Sequence, residues 1–186
     1  MKKFLVIALV AVTAGLFAFS MEDLKVTVFG SYNFAVNVTS TPTTVEATAS
    51  NYLDFGLDLT YPVAENMDLG LGLGFAYLLD SSASPLFSTD ATPSQNTFDL
   101  FAVFKYSVEL DRESKIVIRG FGGASWPLPT NGFAFDKFGW VFGAGANYTR
   151  HFEGLVVGFG AGVEMRIYGD NSVIAVPVGA NFEINF

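Results

Sequence analysis

Eight stretches of this chain carry an uncharged residue at every second position, 51 such positions in all, and no other feature limits its fold as strongly. The stretches are 24–38, 51–61, 66–80, 97–108, 116–126, 138–149, 155–168 and 173–186. A period of two marks β-strands with unlike faces, because successive side chains leave the backbone on opposite sides. In NMDLGLGLGFAYLLD (66–80), one face is Leu69, Leu71, Leu73, Phe75, Tyr77 and Leu79, and the other begins Gly70, Gly72, Gly74. An ordinary half-buried strand sets Lys, Thr or Glu against its apolar face. Here the opposing face is often bare, with glycine at positions 56, 70, 72, 74, 123, 139, 143, 145, 158, 160, 162 and 179.

The connections also alternate. PVAENMD, ELDRESK and RHFEG are compact, whereas TSTPTTVEATAS, DSSASPLFSTDATPSQN and PLPTNGFAFDK are longer and rich in Thr, Ser and Pro; GDNS, after segment seven, is short. Short turns at one end and longer loops at the other predict an all-β fold, an eight-stranded antiparallel up-and-down barrel. The barrel is expected to occupy 21–186 as one domain. Residues 1–20, MKKFLVIALVAVTAGLFAFS, have the basic start, apolar run and small residues of a secretory signal peptide. Loss of Lys2 and Lys3 with that segment takes the net charge from −8 to −10, a poor match for nucleic acid. Without cysteine, no disulfide is available.

Which row faces inward decides the chain's setting. A secreted lipocalin-like barrel would turn the apolar row in, around an apolar ligand. A transmembrane barrel would turn it out, toward lipid. Seventeen aromatic side chains lie in the apolar row, both tryptophans among them. That bulk overfills an eight-stranded lumen, which is only wide enough for packed side chains. A soluble exterior of glycine would also leave backbone exposed to other chains. Volume and solubility both favour the transmembrane barrel, in an outer membrane. Tyr61, Tyr106, Tyr148 and Phe186 end strands at the short-turn rim, while Tyr77, Phe98, Trp126, Phe138 and Trp140 lie at the other. These positions are expected to form aromatic girdles at the two lipid–water boundaries.

The mature chain resembles the small eight-stranded outer-membrane barrels of the OmpA transmembrane and OmpX type. Its ending NFEINF places Phe182, Ile184 and Phe186 on one face. This ending is similar to the C-terminal signal that the barrel-assembly machinery reads in that superfamily. The resemblance implies the fold, outer-membrane lipid and that machinery as partners. It does not imply peptidoglycan binding, for which no further domain is present in this sequence.

Nine charges fall on the inward row: Lys25, Asp54, Asp58, Asp99, Lys105, Arg119, Glu164, Arg166 and Glu183. By height they form two groups, with Lys25, Asp58, Lys105, Arg119 and Glu183 toward the short turns and Asp54, Asp99, Glu164 and Arg166 toward the loops. Buried charges must be paired, so an ion-pair network plugging the lumen is one expectation. A charged filter in a narrow water path is the other, with Phe29, Phe101, Phe121 and Tyr168 as candidates to fill the space.

Catalysis at such a rim needs a general base, and the one histidine, His151, falls in the RHFEG turn with no serine beside it. No catalytic residue, cofactor or metal site is expected; Asp80, Asp90, Asp136 and Asp170 lack calcium-loop spacing. Asn37-Val38-Thr39 and Asn147-Tyr148-Thr149 match a glycosylation pattern that has no use in a bacterial strand. The expected role is non-enzymatic: a monomeric barrel, structural or adhesion-like, that meets a surface ligand or protein through loops 39–50, 80–96 and 127–137. A narrow porin-like channel for small solutes or ions is the alternative.

Overall fold

A computed structural model describes residues 23–39, 51–79, 96–128 and 138–185. The signal segment, most of the three long loops and Phe186 lie outside these. Eight strands follow in order: β1 (Lys25–Thr39), β2 (Tyr52–Ala64), β3 (Met67–Leu78), β4 (Asn96–Glu109), β5 (Ser114–Pro127), β6 (Gly139–Phe152), β7 (Leu155–Tyr168) and β8 (Asn171–Asn185). Each pairs antiparallel with its sequence neighbours, and β1 pairs with β8, so the sheet closes into a barrel.

The leucine row faces out. Leu69 is 46% exposed and Phe159 65%, whereas Asp58 and Arg166 are fully buried. This distribution is the inverse of a soluble ligand-binding barrel, which hides its apolar row. An uncharged exterior over a charged interior suits hydrocarbon as the solvent, where a closed barrel leaves no strand edge unpaired.

The inward glycines do two different things. Phe101 and Phe121 sit directly across the ladder from Gly72 and Gly143, and each ring occupies the place where a Cβ would stand, while at Gly56 a Cβ would meet the Leu73 carbonyl before the Phe29 ring. Glycine at 72 and 143 makes room for an aromatic ring. At Gly160 and Gly162 a Cβ would instead meet the backbone of β6, so these glycines let two strands approach closely. β5, with Gly120, Gly122 and Gly123, pairs without a register shift on either side.

Local departures have local causes. The β6–β7 link is a two-residue turn, Glu153–Gly154, with φ of 32° and 91°. Positive φ at both central positions matches the right-handed twist of the flanking strands. The strands therefore run further than the alternation suggests, and His151 lies in β6, opposite Val156, rather than in a turn. An irregularity is expected at Pro177, which has no N–H to donate. β8 continues through it, but pairing with β7 lapses between Ala161↔Val178 and Glu164↔Ala175. A register shift between Ala35 and Asn37 follows nearby on the β1 side.

Candidate functional site: the charged lumen

The inward-facing charges gather in two tiers. In the tier nearer the short turns, Arg119 donates to both oxygens of Asp58 at 2.9 Å, a bidentate pair. Its guanidinium carbon stands 4.7, 5.4 and 4.4 Å from the ring centroids of Phe29, Phe101 and Phe121. The three rings form a collar around one cation and hold its fork in place. Lys105 donates to Thr27 Oγ1 at 2.6 Å and lies 3.4 Å from Asp58 and 3.7 Å from Glu183.

Two members of this tier are missing from the sequence reading. Lys25 bonds Asp68 at 2.8 Å, and Lys115 stands 3.7 Å from Glu183. Asp68 falls both in the PVAENMD link and in the stretch 66–80, and Lys115 falls in the ELDRESK link just before the stretch 116–126. The signal was present: each continues the inward alternation of its strand by one step, 68-70-72-74 and 115-117-119-121.

The tier nearer the loops centres on Arg166, which has no exposed surface. Its Nε meets Glu164 at 2.6 Å, its Nη1 meets Asp99 at 2.8 Å, and its Nη2 meets Asp54 at 3.2 Å. Tyr52 donates its hydroxyl to Glu164 at 2.7 Å, Ser125 donates to Asp99, and Thr97 lies 3.0 Å from Arg166 Nη1. Beyond this tier, on the loop side, Tyr52, Ala76, Leu78, Tyr168, Val173 and Ala175 pack into a cluster in which none exceeds 3% exposure. The ion cluster thus lies buried beneath an apolar layer on the loop side.

Below this tier lies a cavity of about 100 Å³, room for several waters. It runs from Lys115 and Thr149, toward the short-turn rim, past the Arg119 collar to Asp54 and Glu164 under the upper tier. Gly145, Gly160, Gly162 and Gly179 form its other wall.

Outside, the aromatic positions group by height. Phe98, Trp126, Phe138, Trp140 and Phe142 form a continuous ladder at the loop end of β4–β6, with successive centroids 6.3, 6.1, 5.3 and 6.4 Å apart. Such spacings are those of favourable aromatic pairs. Tyr77 stands on the same rim, 42% exposed. Tyr61, Tyr106 and Tyr148 lie toward the short turns, where the Tyr148 hydroxyl donates to Ser114 at 3.0 Å. Phe182 and Ile184 point outward at 47% and 44% exposure.

Among solved structures, Neisserial surface protein A (NspA) aligns with a TM-score of 0.66 over 88% of this chain and 97% of its own, at 8% identity. The fold is that of a small eight-stranded outer-membrane β-barrel. The N-terminal barrel domain of Pseudomonas aeruginosa OprF covers 87% of this barrel's chain and 96% of its own, at a TM-score of 0.45 and 13% identity. Ail, the attachment invasion locus protein of Yersinia pestis, covers 88% of this chain and 99% of its own, at 0.42 and 12%. At such identities the likeness is one of fold. No family model and no curated protein matches the barrel's sequence.

Proposed function

We propose that this barrel is a non-conducting, non-enzymatic anchor of the outer membrane that presents loops 39–50, 80–96 and 127–137 at the cell surface, in a structural or adhesion-like role. One observation carries the reading. Arg166, three carboxylates and the apolar layer beyond them are packed and buried on the loop side of the lumen, which supports a lumen that does not conduct. The outward apolar row supports residence in lipid, and the aromatic ladder supports a boundary at the loop rim. The segment 1–20 would export the chain. Phe182, Ile184 and Phe186 would be read by the assembly machinery.

The cavity favours a second reading, a narrow channel for small solutes or ions whose Arg166 tier opens under some conditions. Planar-bilayer recording of the refolded barrel separates the two. An anchor gives no reproducible steps. Reproducible steps that change in Arg119→Ala or Arg166→Ala would sink the anchor reading in favour of the channel.

A further inference from the structure

We propose that the inner end of the luminal cavity binds one small monovalent cation of the sodium class, held by Asp54, Ser31, Asn33 and Glu164. Charge balance is the first reason. Among the described residues, Arg166 is the cation in contact with Asp54, Asp99 and Glu164, which gives these three buried carboxylates a formal excess of two negative charges. Uncompensated charge of that kind is costly to bury.

The second reason is that the oxygens are unequally served. Asp99 and Glu164 each have a further donor, Ser125 and Tyr52. Asp54 is only 7% exposed, yet its Oδ1 has no hydrogen-bond partner, and Arg166 Nη2 reaches its other oxygen at 3.2 Å. Its ladder partner Ser31 accepts a bond from Asn33 Nδ2 at 3.1 Å. Asn33, with no exposed surface, has an Oδ1 that also lacks a partner.

The two buried acceptor oxygens without donors thus belong to side chains flanking Ser31, one across the ladder and one two residues along β1. Ser31, Asp54 and Glu164 all border the cavity. An all-oxygen setting of carboxylate, amide carbonyl and hydroxyl is the chemistry of a hard cation. Asp54 Oδ1 is the carboxylate oxygen of this tier that is buried without a hydrogen-bond partner, and no three His, Asp or Glu side chains among the described residues are placed to hold a metal ion. That favours a singly charged ion over calcium or magnesium. The proposal is independent of whether the barrel conducts.

The test is thermal unfolding of the refolded full chain in zwitterionic micelles, in sodium chloride and in choline chloride at equal ionic strength. Sodium should raise the midpoint saturably, by about 3–6 °C at a tenfold excess over its dissociation constant. Asp54→Asn should remove the difference between the two salts. If that variant fails to fold, Asn33→Ala should reduce the sodium dependence, and sodium NMR line broadening by the unsubstituted barrel should be reversed by excess lithium. Equal midpoints in the two salts, or a sodium effect that survives Asp54→Asn and Asn33→Ala, would overturn the proposal. A midpoint that follows pH and ignores sodium would assign the missing charge to a proton and overturn it equally.

Discussion

Phe101 of β4 lies directly across the ladder from Gly72 of β3, and its ring takes the volume that a Cβ at position 72 would need. A methyl group there must displace a ring that already packs on Phe121, with centroids 5.1 Å apart, and on the Arg119 guanidinium. Gly72→Ala should therefore destabilise the barrel by about 1–3 kcal/mol, the usual cost of overpacking. Urea unfolding in micelles reads the loss, and Phe101→Leu in the same chain should recover part of it. Gly120→Ala is the control, since nothing lies within 4 Å of a Cβ added there.

Leu71 tests the facing of the wall. It sits one residue from Gly72 on the outer face, and arginine near the bilayer midplane of a barrel costs about 2–4 kcal/mol. Leu71→Arg should reduce insertion into lipid vesicles, measured as the heat-modifiable folded fraction on a denaturing gel. Leu71→Ile should fold like the unsubstituted chain. Equal yields for Arg and Ile would contradict an outward Leu71.

Arg166 holds together three carboxylates that otherwise repel one another. Arg166→Met should cost about 3–5 kcal/mol, as when one partner of a buried ion pair is removed. Adding Asp54→Asn and Glu164→Gln to Arg166→Met should restore much of that stability. A single variant as stable as the parent would show that the tier is not the fastening its geometry implies.

In the β4–β5 turn, Asp111 Oδ1 accepts the backbone N–H groups of Glu113 and Ser114, both at 2.8 Å. The Glu113 N–H leads in drawing the carboxyl below the ordinary aspartate range, with Ser114 adding to it. A carboxyl lowered in the folded state stabilises the fold above its unfolded pKa, and that stability fades as pH falls through the folded one. Carboxyl NMR shifts should place the Asp111 titration below that of an aspartate in an unstructured peptide. Asp111→Ala should make turn amide exchange less dependent on pH in that acidic window.

Period-two alternation shows the strands, their order and their facing in the sequence, because it repeats along every segment and lipid tolerates no charge on the outer row. The two-tier sorting of charges follows from the same register. What was hidden lay at strand ends and across strands. His151, Asp68 and Lys115 sit where a strand passes into a turn, and alternation alone does not say where pairing stops. The pairing of Phe101 with Gly72 depends on the offset between β3 and β4, which is set by which residues of DSSASPLFSTDATPSQN stay outside the ladder.

The β1–β8 ladder, from Lys25↔Asn185 to Thr39↔Ser172, joins the first strand of the chain to the last. Every other seam links neighbours and can zip from its own hairpin, but this one must bring together segments about 130–160 residues apart in sequence, a slow kind of contact to form. Until β1 and β8 pair, the sheet has two raw edges and no interior. Neither Arg119 nor Arg166 can then be walled off from water, for the cylinder around them does not exist. Closure and burial of the charges are one event, and it waits for β1 and β8 to meet.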